Sequence, residues 1–274
     1  MNLSWAANTD SFNGDYWGKI AAQGKRSRRE DAWRNYLKEI YRKLIVQEKD
    51  IRGGIALKTD LYDEAITSDN LFSMLSQQQW HVVGMDYSLA VAQYARQRLV
   101  QQRNTPQGIV VTDIRRLPFK DNSFDAVVSN STLDHFACKE DIIVSLKELY
   151  RILKPQEELI ITLDNPTNPV VRLRNMLPYW LLKSSGIIPF YMGVTLSKSE
   201  LIRVMQEQGF KIKEGSAIVH CPRFFAIWIG SVVAMLGSKT LTRCFSRFLG
   251  IFEFLEKSPL RYLSGYFICV KAAK

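Results

Sequence analysis

Five polar side chains close apolar runs in the first 165 residues. Asp60 follows "GIALKT", Asp86 ends "WHVVGMD", Asp113 ends "GIVVTD", Asn130 ends "FDAVVSN" and Asp164 ends "EELIITLD". A carboxylate is an acceptor only, and one at the end of a strand can take hydrogen bonds from two neighbouring hydroxyls. Asp86 stands 26 residues after Asp60, the separation at which an acid ending a second strand meets both hydroxyls of a ribose. The same position also suits capping of a helix that starts at Ser88, and the two roles are compatible. His135, in "STLDHF" after the fourth run, is a general base for a hydroxyl acceptor or a packing histidine, and Asp134 beside it has the same standing. His220, in "AIVHCPR", is a further residue for the acceptor side.

Alternating elements must position these groups. Trp33, Leu37, Ile40, Tyr41, Leu44 and Ile45 recur at helical spacing, predicting an amphipathic helix over about 28–48. Strands are expected at "GIALK", "WHVVGMD", "GIVVTD", "FDAVVSN" and "EELIITLD". Helices are expected to end near Gln78, to run from Leu89 to about Gln102, and to run from about Lys139 to Leu153. Five strands separated by crossovers predict an α/β fold, a parallel sheet with helices on both faces. In such a sheet ligands sit outside the carboxyl ends of the strands, where the five polar residues lie.

The net charge of +10 is unevenly distributed. Residues 1–164 carry 22 basic and 22 acidic side chains, and residues 165–274 carry 15 and 5. That basic stretch is rich in Phe, Trp, Leu and Ile, which favours an anionic membrane surface over nucleic acid as a partner. Four scattered cysteines without a CxxC pair, and first residues that lack the order of a secretory signal, predict a reducing, cytoplasmic protein. Three histidines far apart, with no HExxH, give no expectation of a metal site.

The segments "VVGMDYSLAVAQYARQR", "VVTDIRRLPFKDNSFDAVVSNSTLDHF" and "LKELYRILKPQEELIITLDNP" resemble, in order and spacing, the regions after the first motif of class I S-adenosylmethionine-dependent methyltransferases. The resemblance is greatest to the small-molecule branch of ubiquinone and menaquinone biosynthesis. It covers about Gly53 to Pro166, and "LSKSELIRVMQEQGFKI" continues it. It implies a Rossmann-like seven-stranded sheet, S-adenosylmethionine as cofactor, Asp86 on the ribose, Asp113 with Ile114 at the adenine, and Asn130 near the methionine moiety. With the opening loop and the neighbour of Asp86, the cofactor set is Lys58, Thr59, Asp60, Asp86, Tyr87, Asp113, Ile114 and Asn130.

The first loop departs from that family, which has an acid and then a GxGxG run. Here Lys58 falls at the acid, and Asp60, Tyr62 and Glu64 fall at the glycines. Glycines admit a pyrophosphate to a helix N-terminus, and S-adenosylmethionine has none. Asp60, Asp63 and Glu64 suit its cations, with Lys58 or backbone N–H groups on its carboxylate. Alternatively, Asp60 and Asp63 simply cap the next helix.

The expected organisation is an N-terminal helical lid over 1–50 and a methyltransferase domain over 51–274, with insertions at about 165–195 and 222–259. The second insertion places Leu241, Phe245, Phe248, Phe252 and Leu255 at helical spacing with Arg243, Arg247 and Lys257 beside them. That is either an interfacial helix or a cap packed on its own domain. The resulting expectation is methylation, at oxygen or carbon, of an apolar or lipid-linked small molecule, at the inner membrane face. A non-catalytic scaffold of the same fold and a nucleic-acid methyltransferase are the alternatives.

Overall fold

The computed structural model describes residues 14–23, 31–46, 53–67, 70–102, 108–184 and 191–274. The rest of the expected lid (1–13, 24–30 and 47–50) and residues 185–190 of the first insertion lie outside the described residues.

Two helices, α1 (Gly14–Gln23) and α2 (Asp31–Val46), precede the first strand, β1 (Gly54–Lys58). There follow α3 (Tyr62–Ile66), α4 (Leu71–Gln77), β2 (Trp80–Asp86), α5 (Leu89–Gln101), β3 (Gly108–Val111) and β4 (Phe124–Asn130). A 3-10 turn over Leu133–His135 leads to α6 (Lys139–Ile152) and β5 (Leu153–Asp164). The first insertion contains α7 (Pro169–Met176) and α8 (Tyr179–Ser184), and α9 (Lys198–Glu207) and β6 (Lys211–Ile218) follow. The second insertion forms α10 (Arg223–Met235), α11 (Lys239–Leu249), a 3-10 segment over Gly250–Lys257 and α12 (Arg261–Ser264), before β7 (Phe267–Ala273).

The sheet has seven strands in the order β3-β2-β1-β4-β5-β7-β6. Strands β1 to β5 pair in parallel, and β7 runs antiparallel between β5 and β6. The strands read as continuous apolar runs because both faces are covered. Ala56, Val82, Ala126 and Val128 face a core shared with α2, α4, α5, α10 and α11. Leu57, Met85 and Val127 face the opposite core with α6 and α9. Strand order reverses between β1 and β4, and the crevice there is where an open sheet holds its ligand.

The helices begin where the sequence supplies caps. Asn70 accepts from Ser73 N at 2.9 Å, Ser88 accepts from Val91 N at 3.3 Å, and Ser197 with Glu200 forms a capping box. Asp86 is therefore not the cap of α5; it accepts from Ser88 N instead, at 2.7 Å.

The second insertion is fastened to α2. The Tyr36 hydroxyl donates to Glu253 and accepts from Cys221 N at 3.1 Å, and Ser246 Oγ donates to Ala32 O at 3.2 Å. The stripe expected on 241–255 divides accordingly. Phe245 is buried and Phe252 packs against the same core, so much of it is a packing face, while Leu241 and Phe248 stay exposed. The larger outward apolar stripe is on α10, where Phe224, Trp228, Val232 and Met235 are exposed at helical spacing.

Candidate functional site

A cleft of about 370 Å³ opens at the head of the sheet, over the carboxyl ends of β1, β2 and β4. Pockets of this size accept nucleoside-sized ligands. Of the residues expected to hold a cofactor, Thr59, Asp60, Asp86, Tyr87, Asp113, Ile114 and Asn130 line it, as does His135. Lys58 and Asp134 are not among the lining residues.

The turn after β1 is a closed ionic unit. Lys58 is 2% exposed, and its ammonium lies 3.0 Å from Glu64 Oε2 and 3.3 Å from Asp60 Oδ2, and also donates to Asp60 O. Burial alone would lower the Lys58 pKa, but the carboxylates of Asp60 and Glu64 override it and hold the ammonium above its ordinary value. Burial pushes the Glu64 carboxyl up to about 7 against the pull of Lys58, and Glu64 Oε1 also accepts from Phe72 N at 3.1 Å. Asp60 Oδ1 accepts from Tyr62 N at 2.8 Å, which fixes the entry to α3. Lys58 and Glu64 are thus turned away from the cleft to each other, while Asp60 and Asp63 remain on its wall. Leu61, fully buried, packs over Gly84 of β2. A Cβ there would stand 2.6 Å from Leu61 Cδ2.

At the end of β2, Asp86 Oδ2 accepts from Leu61 N at 3.0 Å and Oδ1 from Ser88 N at 2.7 Å. The carboxylate is locked in place, and each oxygen keeps a further lone pair. Burial, with Asp60 nearby, pushes its pKa up to about 7 although both backbone N–H groups favour the anion. Tyr87, 45% exposed, places its ring beside it. Asp113 is bound to Arg115, whose Nε lies 3.0 Å from both carboxylate oxygens and whose Nη1 reaches Asp141 at 3.1 Å. Although burial opposes it, Arg115 holds the Asp113 carboxyl below its ordinary range.

The turn after β4 has the opposite character. Asn130 Oδ1 and Ser131 Oγ are buried without a hydrogen-bond partner, and both residues line the cleft. Ser131 sits at φ 44°, a left-handed conformation uncommon for a non-glycine residue. Thr59 Oγ1, by contrast, bonds Ser129 Oγ at 3.0 Å and Thr132 Oγ1 at 2.8 Å.

His135 Nδ1 lies 3.1 Å from Tyr191 O; a carbonyl only accepts, so the proton resides on Nδ1 and Nε2 carries the lone pair. Burial lowers its pKa and favours this neutral form. The Trp17 ring of α1 meets the imidazole edge-on at 4.8 Å, and Tyr16 OH accepts from Tyr191 N at 2.8 Å. Asp134 is 1% exposed and lies behind His135, where its Oδ2 accepts from Asp164 N at 3.0 Å. Asp164 is paired with Arg174. Burial pushes both acids up to about 6. His220 is buried between Ser264 Oγ at 2.7 Å and Ala217 O at 3.0 Å, and is not on the cleft.

Ser131, Arg34 and Arg223 also line the cleft and were not singled out from the sequence. For Ser131, the signal was its place directly after an acceptor-ended strand. The arginines come from helices outside the sheet, and no spacing rule links them to it.

S-adenosylmethionine carries a ribose, an ammonium, a sulfonium and a carboxylate, and the donor set suits it. Asp86 offers lone pairs to hydroxyls, Asn130 Oδ1 and Ser131 Oγ are acceptors in search of a donor, and Asp60 and Asp63 supply negative potential.

Residues 65–161 match the family model for the methyltransferase domain. The chain is 36% identical over 83 residues to a probable tRNA methyltransferase 9B of Mus musculus, covering 30% of this chain and 17% of that one. It is 35% identical over 120 residues to the 2-phytyl-1,4-naphtoquinone methyltransferase of Nostoc punctiforme, covering 42% and 48%. It thus spans less than half the length of either relative. Among solved structures, geranyl diphosphate C-methyltransferase from Streptomyces coelicolor, in complex with S-adenosyl-L-homocysteine, superimposes with TM-score 0.55 at 15% identity, covering 86% of this chain and 79% of that one. The fold of this chain is that of the class I S-adenosylmethionine-dependent methyltransferases.

Proposed function

We propose that this chain is an S-adenosylmethionine-dependent methyltransferase acting on an apolar small molecule. The observation that carries the reading is one cleft in which the backbone-locked Asp86 meets two buried acceptors without partners, Asn130 Oδ1 and Ser131 Oγ, at the switch point of the sheet. Its relatives include both a probable tRNA methyltransferase and a 2-phytyl-1,4-naphtoquinone methyltransferase; the longer match, 42% of this chain against 30%, supports the apolar acceptor.

S-adenosylmethionine supplies, when bound, an electrophilic methyl group on a sulfonium. Asp86 holds the ribose hydroxyls, with Tyr87 and Ile114 against the base. Asn130, Ser131 and Asp60 orient the amino-acid end. Thr59 and Asp113 support this wall through bonds to Ser129, Thr132 and Arg115, and Lys58 supports it through Glu64 and Asp60. Much of the rate enhancement comes from orientation and exclusion of water. Helices α1 and α2 act as a lid, since Trp17 of α1 and Trp33, Leu37 and Tyr41 of α2 line the cleft. His135, whose Nε2 lies 3.9 Å from Asp134 Oδ1, takes the proton of a hydroxyl acceptor, and Asp134 steadies the turn that carries it.

The acceptor is drawn from an anionic membrane. The basic excess of residues 165–274 coincides with the exposed stripe Phe224, Trp228, Val232 and Met235, with Arg243 and Arg247 exposed nearby. Among the described residues no helix is long and apolar enough to cross a membrane, and an exposed apolar stripe beside basic groups suits interfacial contact. Transfer of label from methyl-tritiated cofactor to a lipid extract tests the reading. Radioactivity in the organic phase is the expected result. Unlabelled lipid, with a protein that stays in solution when floated with anionic vesicles, would refute the lipid-linked acceptor.

A further inference from the structure

The two ends of the cleft differ in charge, and the far end has a chemistry that the cofactor does not use. Asp60, Asp86 and Asp113 belong to the β1, β2 and β3 side. On the β7 side stands Arg223, at the first position of α10; Arg34 of α2, a helix that packs against α10, also lines the cleft. Arg34 acts on Asp63, whose carboxyl it favours in the ionised form. Arg223 has no ion pair among the described residues, and its Nε is buried without a hydrogen-bond partner. No acidic residue in the first turn of α10 offsets its charge, although a cation at a helix N-terminus is unfavourable. It stands close enough to Tyr266, itself on the cleft wall, to favour that phenol's ionised form.

A guanidinium held in this way, partly out of water, costs stability unless an anion meets it. The cleft wall also carries apolar and aromatic side chains, among them Trp33, Leu37, Ile66 and Phe267. We propose that the acceptor carries an anionic group, a carboxylate or a phosphate, on an apolar body, and that Arg223 binds that group. The inference rests on the methyltransferase reading and narrows its acceptor to acidic amphiphiles. Arg223 is then a specificity-determining residue: it fixes which end of the acceptor faces away from the sulfonium.

The test is calorimetric titration of decanoate, decyl phosphate and decanol into the full chain, with and without saturating S-adenosylhomocysteine. At least one anionic probe binds about tenfold or more tighter than decanol, as a charge-assisted bond to a partly buried guanidinium should give. Preference for decyl phosphate assigns a phosphate, and preference for decanoate assigns a carboxylate. In R223M the preference falls to about threefold or less, while R223K keeps most of it if charge rather than the planar fork decides. Both variants retain the parent's affinity for S-adenosylhomocysteine, which also reports that they are folded. Should R223M not fold, R223Q, which removes the charge and keeps a polar side chain, takes its place. Decanol binding as tightly as both anions, or an unchanged preference in R223M, overturns the proposal. Failure of S-adenosylhomocysteine to bind, with the anion preference intact, would instead remove the methyltransferase reading and leave an anion-binding cleft.

Discussion

The turns after β1 and β4 lie side by side at the head of the sheet, yet they leave their polar groups in opposite states. After β1, the charges meet one another: Lys58 meets Glu64 and Asp60, Asp60 meets Tyr62 N, Glu64 Oε1 meets Phe72 N, and Glu64 Oε2, though it takes no hydrogen bond, has the Lys58 ammonium 3.0 Å away. After β4, Asn130 Oδ1 and Ser131 Oγ are buried with no partner, and Ser131 takes a left-handed backbone. A buried polar atom without a partner costs free energy that a ligand can recover, whereas a satisfied ionic unit has little left to offer one. On the proposed reading the glycine-free loop is largely a structural wall, with Asp60 facing the ligand, and recognition falls mainly to Asp86, Asn130 and Ser131.

This contrast gives different signatures to substitutions a few ångströms apart. K58M leaves Glu64 fully buried beside Asp60 without its countercharge, and should cost about 3–5 kcal/mol of folding stability by chemical denaturation. The double variant K58M/E64L should recover most of that loss, since well-packed apolar replacements of a buried pair are often neutral. If K58M is as stable as the parent, the β1 unit is not what holds the loop. D86A should weaken S-adenosylhomocysteine binding by about 1.5–3 kcal/mol, because a charged acceptor is lost. It should also lower stability, through the orphaned Leu61 and Ser88 N–H groups. N130A removes an atom that bonds nothing in the protein. It should cost about 1 kcal/mol of cofactor affinity and no stability, the pattern that separates a ligand-facing group from a structural one.

A further effect is on pH. Asp86 and Glu64 have folded-state pKa values raised to about 7, above those of unfolded carboxylates, so the folded chain binds more protons than the unfolded chain between about pH 4 and 7. Stability accordingly falls as pH rises through that window, and levels off above about 7. Cofactor affinity moves the other way, rising as Asp86 ionises. In D86N the rise should flatten, and a D86N profile parallel to the parent's would assign it to another group.

Much of this architecture was legible in the sequence. Strands buried on both faces read as unbroken apolar runs, as "WHVVGMD" and "FDAVVSN" do, and Ser88 and Ser197 mark helix starts because a hydroxyl caps locally. Asp86 could be placed because chain position fixes which strand end it occupies. What was not legible depends on contacts across the chain. That Lys58 turns inward to Glu64 is decided by an ion pair formed only once α3 has packed, and that the loop tolerates Leu61 is decided by Gly84 on the neighbouring strand. Helical spacing on 241–255 showed an apolar face without showing that α2 would cover Phe245. Arg223 reaches the cleft only through the fold of the second insertion.

The central claim, that a glycine-free loop leaves cofactor binding intact, is tested most directly by titrating S-adenosylhomocysteine into the parent chain and into D60G/Y62G, which restores glycines at two family positions. The account predicts saturable one-to-one binding to the parent and no tighter binding to the variant. A parent that gives no binding heat, or a glycine variant that gains about tenfold or more in affinity, roughly 1.4 kcal/mol, would contradict it and identify the natural loop as a degraded cofactor site, as on a scaffold protein.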